Sequence, residues 1–385
     1  MADGGEAEGY SARIVSAISD FAAADWNALA AQGSSARNPF ASHEFLSAIE
    51  RSGSAGDAAG WTPCHLALDK NGSLAGAAPV YLKAHSFGEY VFDHHWADAY
   101  ERAGGRYYPK LLCAAPFTPA CGPRLLCENA QIKTALALAL TRITRQLGLS
   151  SAHVNFISED DAKALGAAGF LLRLGVQYHW FNRDYRTYDD FLAALSSRKK
   201  KALRRERKFA RDGLNIRRLA GDEIDAATWD AFWRFYRNTG DRKWGRPYLT
   251  RAFFDEIAET MSEEIMMVVA EADGTPIAGA LNFIGGEALY GRYWGRIADR
   301  PFLHFEVCYH QAIDFAIERG LARVEAGAQG EHKIARGYEP VLTRSAHWIA
   351  DPGFRDLLAR HLDRERMEID LEFAALAEHT PFKGA

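Results

Sequence analysis

Two stretches of the chain carry the same run of apolar and polar positions: His65-Leu-Ala-Leu-Asp-Lys-Asn-Gly-Ser-Leu-Ala-Gly-Ala77 and Val268-Val-Ala-Glu-Ala-Asp-Gly-Thr-Pro-Ile-Ala-Gly-Ala280. Each reads as an apolar strand, an Asn-Gly or Asp-Gly turn and a second strand, which is the pattern of a β-hairpin. Downstream of each comes an apolar helix ending in glycine and then a short strand. In the first copy these are Ala135 to Leu147 with Gly148, then His153 to Ile157; in the second, Val307 to Arg319 with Gly320, then Ala322 to Ala326. The shared order predicts an internal duplication. From hairpin glycine (Gly76, Gly279) to helix-end glycine the interval is 72 residues in the first copy and 41 in the second, so the first carries 31 extra residues, expected as an inserted aromatic loop over 85–123.

Hairpins that feed crossover helices predict an α/β protein with a mixed, twisted sheet flanked by helices in each half. The expected boundary gives an N-terminal domain over 10–178 and a C-terminal domain over 179–385. The second opens with a helix start at Thr187-Tyr-Asp-Asp190, continues with Phe191, Leu192, Leu195 and Leu203 at helical spacing, and stops at Gly213, predicting one helix over 188–212.

That helix changes the charge picture. The 385 residues sum to −4, yet Arg198 to Arg211 holds nine Lys or Arg against one Glu, so a +8 segment sits on a body of −12. Such a run is either a solvated face or an anion-binding surface for nucleotide, coenzyme or RNA phosphates, with Arg198, Lys199, Arg204 and Arg205 as the candidates. The helix holds few large apolar residues, which ranks a lipid surface third among its partners. The composition, 48% hydrophobic and 25% charged, is that of a globular protein and excludes disordered or fibrous classes. No apolar run reaches the length of a bilayer span, and the acidic start Met1 to Tyr10 lacks a secretory pattern, so the expected location is cytoplasmic. Five cysteines without a C-x-x-C pair argue for reduced thiols and against a zinc site. His94, His95, Asp93 and Asp98 match no ligand spacing, and no metal is expected.

Phosphate-loop, dinucleotide, nucleophile-elbow and zincin motifs are all missing. The candidate chemistry lies instead in two clusters. In the insertion, Trp96, Tyr100, Tyr107, Tyr108, Lys110, Thr118 and Arg124 sit among turn-forming Gly and Pro, as substrate contacts or as a cap on the sheet edge, with Asp98 as a carboxylate able to take a proton from an amine. In the later half, Arg292 and Trp294 end a strand, His304, Glu306 and Tyr309 open a helix, and Gln329, Glu331, His332 and Lys333 follow the next strand. Loops at adjacent strand ends converge, so Glu306 is read as an alternative base to Asp98, His304 or His332 as a proton relay, and Lys333 with backbone amides as the oxyanion site. The line Glu306, His310 and Asp314 at i, i+4, i+8 reads as a solvated helix face. Cys121 and Cys308 are acyl-carrier candidates, with a buried inert thiol as the stronger reading of each.

The strings Trp96-Ala-Asp-Ala-Tyr-Glu-Arg-Ala-Gly-Gly-Arg-Tyr-Tyr-Pro-Lys110, Pro116-Phe-Thr-Pro119, the Arg198 to Lys208 run, His304-Phe-Glu306, Glu325-Ala-Gly-Ala-Gln-Gly-Glu-His-Lys-Ile-Ala-Arg-Gly337 and His347-Trp348 resemble the FemAB-like peptidoglycan biosynthesis or recognition proteins, within the GNAT-type acyl-CoA N-acyltransferase superfamily. The resemblance covers about residues 12 to 380. It implies two tandem GNAT-like domains and transfer of an acyl or aminoacyl group from acyl-CoA or aminoacyl-tRNA to a small-molecule or peptide amine, with tRNA as a partner. The phosphate-cradling loop of ordinary acetyltransferases, Q/R-x-x-G-x-G/A, is absent from Arg296 to Glu306. The competing class is a non-catalytic module that binds RNA or a phosphorylated cell-wall precursor through the basic helix.

Overall fold

The computed structural model describes residues 9–32, 37–243, 247–328 and 330–383, the side chains of 241–243 excepted. The chain divides into two compact units, one of residues 1–175 and 343–370, the other of residues 176–342 and 371–385. The division falls three residues before the expected boundary. Residues 343–370, expected in the second half, belong to the first unit because the strand Glu339–Ile349 pairs Ala346 to Ile349 with Ser151–Val154.

Both predicted hairpins form. In unit 1 His65–Lys70 and Ser73–Ala78 pair antiparallel around Asn71 and Gly72, and in unit 2 Ile265–Ala272 and Thr275–Ile284 pair around Asp273 and Gly274. All four turn residues have positive φ, between 49° and 81°, as a two-residue turn matched to strand twist requires. In unit 1 this hairpin lies between Tyr10–Val15 and Leu126–Cys127 in a four-stranded antiparallel sheet. A second set of strands, Trp61–Pro63, Val80–Lys83, Lys110–Cys113 and Ser151–Val154, follows, the last two parallel. The helix Ala130–Gln146 lays Ile132, Leu136, Leu140 and Ile143 into the core between Leu66, Leu68, Leu111 and Val154 and ends before Gly148 in the left-handed region.

In unit 2 the strands Asn215–Ala220, Ile265–Ala272, Thr275–Ile284 and Ala288–Arg296 are antiparallel in sequence order. The last then runs parallel to Arg323–Glu325, itself antiparallel to His179 to Phe181. Residues 303–318 form one helical run of Leu303–Phe305, a π-helical stretch Glu306–His310 and Gln311–Glu318. Each unit is therefore a mixed sheet flanked by helices, the GNAT-like arrangement expected.

Two expectations need correction. The segment 85–123 is not a loop: it contains the helix His94–Arg102 and the strand Lys110–Cys113. The helix buries Trp96 and Ala97 against Tyr107, Ile349, Leu358 and Leu362, and Lys-Leu-Leu-Cys is buried at all four positions, so it lacks the alternation that marks a strand. The basic helix over 188–212 is likewise two helices, Tyr188–Ala194 with a Thr187/Asp190 capping box and Ser197–Arg211. Fully buried Leu195 adopts extended backbone between them because it anchors in the core.

Candidate functional site

In unit 2 the strand Ala288–Arg296 stays paired with Arg323–Glu325 only from Ala288 to Tyr290. Beyond Tyr290 this edge has no parallel partner among the described residues, while its other edge stays paired with Thr275–Ile284 across an irregularity at Leu281/Asn282. Parting two parallel strands opens a gap in the sheet, and there lies a pocket of about 80 Å³ lined by Asn282, Gly291, Arg292, Trp294, His304, Cys308, Tyr309 and Ala326 among others.

The walls are specific. The His304 ring lies 4.5 Å from Trp294 and 5.2 Å from Tyr309, ring centre to ring centre. The Tyr309 hydroxyl is 3.0 Å from His332 Nε2, and the His304 and His332 rings are 6.2 Å apart. Asn282 is 1% exposed, and its Nδ2 donates to the Met266 carbonyl at 3.2 Å. Its Oδ1 is buried without a hydrogen-bond partner among the described residues and faces Gly291, where a Cβ would approach it to 3.4 Å. A buried carbonyl oxygen left unpaired costs free energy, so it marks a place where a ligand N–H can be received.

Lys333, 1% exposed, reaches the end of the Arg323–Glu325 strand and donates to the Gly327 carbonyl at 3.0 Å. Burial pushes its ammonium down to about 7; Cys308 opposes the shift and Arg292 adds to it. Burial, with Arg336 and Lys333 beside it, also pushes the His332 imidazole below its ordinary value. The segment is held in place by Arg336, whose guanidinium lies 3.3 Å from the Phe305 ring centre, binds Glu206 with two nitrogens and donates to the His332 carbonyl at 2.7 Å. Of the predicted residues, this unit brings together Arg292, Trp294, His304, Tyr309, His332 and Lys333. Glu331 is exposed, and Gln329 lies outside the described residues.

Glu306 is not in this group. It is fully buried on another side of the helical run, where Arg207 binds both its oxygens at 3.1 Å, Arg211 adds a contact at 2.7 Å and Gln311 donates at 2.7 Å. Burial pushes its carboxyl up, but Arg207, His310 and Arg211 together outweigh that and hold it below the ordinary glutamate value. A saturated, low-pKa carboxylate is a poor proton acceptor, and these contacts tie Glu306 to the basic helix and not to the pocket. The line expected to be solvated is instead covered by the basic helix: His310 meets Tyr188 at 2.6 Å and Glu206 at 3.0 Å, and Asp314 meets Arg207 at 2.5 Å. Of the phosphate candidates, Arg198, Arg204 and Arg205 are exposed, Lys199 is half-buried, and Arg204 pairs with Asp189 at 2.7 Å.

Unit 1 places its predicted residues differently. Lys110, fully buried, spends its three donors on Ser86 at 2.8 Å, Glu89 at 2.9 Å and Asp93 at 2.5 Å. The Tyr107 hydroxyl donates to Asp93 at 2.7 Å, and Tyr108 meets Ser86 at 2.8 Å. Arg124 donates to the carbonyls of Asn155, Pro123 and Ala120. Lys110, Tyr107 and Arg124 are therefore buried and engaged with groups of the fold itself. Trp96 packs edge-on to His347 at 4.8 Å, Thr118 is buried, and Tyr100 packs on Phe354. Asp98 is exposed on the outer side of its helix, and no ion pair of it is found among the described residues. The carboxylates that matter in this unit are Glu89 and Asp93, which the sequence reading passed over. Burial, offset in part by Lys110, raises Glu89 to about 7; for Asp93 burial also raises, but Lys110 and His153 outweigh it and hold the group well below the carboxylate range. Asn282 was missed as well, although one amide inside the apolar run Ala278 to Phe283 was a visible signal.

With this geometry in hand, the class is set by the sheets: GNAT-like units of mixed strands, one opened by parted parallel strands. The chain belongs to the FemAB-like family of peptidoglycan biosynthesis/recognition proteins, whose model matches residues 17–384. No curated protein matches it. Among solved structures it resembles FemX at 13% identity, covering 88% of this chain and 98% of that one with a TM-score of 0.55. The C-terminal domain of a putative lysylphosphatidylglycerol synthetase from Agrobacterium fabrum matches at 12% identity, 85% and 92% coverage and a TM-score of 0.52. L-PGS from Bacillus licheniformis matches at 10% identity, 84% and 96% coverage and a TM-score of 0.50. At these identities the likeness is one of fold.

Proposed function

We propose that this chain is an N-acyltransferase or aminoacyltransferase, moving an acyl group from acyl-CoA or aminoacyl-tRNA to the amine of a peptidoglycan precursor or related metabolite in the unit 2 pocket. The observation that carries the reading is a buried lysine, Lys333, held near neutrality beside a pocket whose wall presents the unpaired Asn282 Oδ1. An amine attacks a carbonyl only as the free base, and the attack leaves negative charge on the carbonyl oxygen. Asn282 Oδ1 receives an N–H of the acceptor amine and orients it. Neutral Lys333 takes the proton as the N–C bond forms and the bond from the carbonyl carbon to the donor's sulfur or oxygen breaks, and Tyr309 and His332, linked by their 3.0 Å contact, are the route by which a proton returns to the leaving thiolate or alkoxide. His304, packed at a tilt against Trp294, borders the reacting carbonyl, and backbone amides of the parted strand edge past Tyr290 serve as oxyanion donors. Membership in a family of peptidoglycan biosynthesis/recognition proteins supports the acceptor class.

Turnover of precursor peptide with each donor class tests this. Lys333→Met is expected to lower kcat/KM by about 10² to 10⁴, the usual worth of a general base, and His304→Ala and Asn282→Ala to lower it as well. Full activity in all three variants, or no turnover with either donor, overturns the proposal.

A further inference from the structure

The basic helix Ser197–Arg211 turns Arg207, Arg211 and Glu206 inward, where their partners are Glu306, Asp314, His310 and Arg336. The opposite face is left to Arg198, Lys201, Arg205 and Lys208, which at 3.6 residues per turn fall within about a quarter of the helix circumference and carry no ion pair among the described residues. At the end of this face Phe209 is 58% exposed, and its ring stands 6.0 Å from that of Phe302, 43% exposed. Ile297, 51% exposed, shares the loop of Phe302, which runs from the pocket strand to the helix bearing His304. Phe302 holds a left-handed backbone, φ 62°, a conformation phenylalanine seldom adopts. Three large apolar side chains in water beside four unpaired cations are neither core nor ordinary surface.

We propose that this face docks the protein on an anionic lipid bilayer, with the four cations on the headgroups and Phe209, Phe302 and Ile297 inserted at the headgroup boundary. Cations complementary to anionic headgroups, joined to aliphatic and aromatic tips, match a bilayer surface. Nucleic acid rewards cations and stacking rings, but it does not reward an exposed isoleucine or an edge-to-face ring pair. Because the apolar loop joins two walls of the pocket, docking would bring the pocket to the membrane surface. The docking proposal goes beyond the transferase reading and does not depend on it.

Co-sedimentation of the full chain with phosphatidylglycerol/phosphatidylcholine vesicles and with pure phosphatidylcholine vesicles tests the proposal without any turnover. Each cation near an anionic surface is worth about fivefold in binding, so Arg205→Ala with Lys208→Ala is expected to weaken binding about 25-fold. Phe209→Ser with Phe302→Asn is expected to weaken it further while the far-UV circular dichroism stays unchanged. Binding should fall as salt rises. Equal affinity for the two vesicle types, absence of vesicle binding, or apolar variants that bind as wild type while a folded RNA displaces the vesicles overturns the proposal.

Discussion

Removing the guanidinium of Arg207 separates a structural role for Glu306 from a catalytic one. Arg207 is the bidentate partner of Glu306, and it also meets Asp314 at 2.5 Å and lies 4.1 Å from the Tyr188 ring centre. Its side chain is 12% exposed and that of Glu306 is 0% exposed, so neither water nor salt screens the pair well. Breaking a buried pair by removing one partner costs about 3–5 kcal/mol. Arg211 and Gln311 remain on Glu306, which puts Arg207→Ala at the low end, about 3 kcal/mol. For a unit of this size that lowers the melting temperature by roughly 6–12 °C. Glu306→Gln keeps the side chain's size but removes the anion and should cost about 2 kcal/mol, with kcat/KM unchanged below the transition. The folded pKa of Glu306 lies below its unfolded value, so its stabilisation is present above the ordinary glutamate range and is lost as pH falls through the lowered folded value. The melting gap between wild type and Arg207→Ala should therefore close in acid. Thermal unfolding followed by circular dichroism, paired with turnover at 25 °C, measures both quantities. A Glu306→Gln protein that melts like wild type but has lost about 10² or more in turnover would refute the reasoning and restore Glu306 as the base.

Two further outcomes are expected. Lys110→Met leaves Glu89 and Asp93 buried without their ammonium and should cost about 3–5 kcal/mol, whereas Tyr107→Phe removes one hydrogen bond to a charged group and should cost about 1.5 kcal/mol; denaturant titration ranks them, and the reverse order contradicts the cluster. Lys333 has a folded value of about 7 against 10.5 unfolded, so between these the unfolded chain binds more protons and stability rises with pH, a gain absent in Lys333→Met. Activity should rise with the same apparent midpoint near pH 7, and Lys333→Arg, which cannot lose its proton, should flatten that limb.

Along the chain, the elements governed by neighbours a few positions away were legible. Asn71-Gly72 and Asp273-Gly274 demand positive φ, and that demand alone placed both hairpins. Thr187 and Asp190 form their capping box from local geometry, and Gly148 and Gly320 end their helices in the left-handed region for the same reason. Repetition of these local signals in one order made the duplicated α/β architecture readable.

What each polar side chain does was decided by partners far off in sequence. Glu306 looks like a base until Arg207 and Arg211, about a hundred positions earlier, close on it. Lys110 and Arg124 look like substrate contacts until Glu89, Asp93 and the carbonyls of Ala120 and Asn155 close on them inside the core. The Lys333 ammonium is pushed down to about 7 by burial, and Asn282 Oδ1 is left without a hydrogen-bond partner among the described residues only by the way the strands close around it. Short-range torsional preference writes turns and caps into the sequence itself, whereas desolvation and charge pairing depend on distances that exist only after the chain has closed on itself.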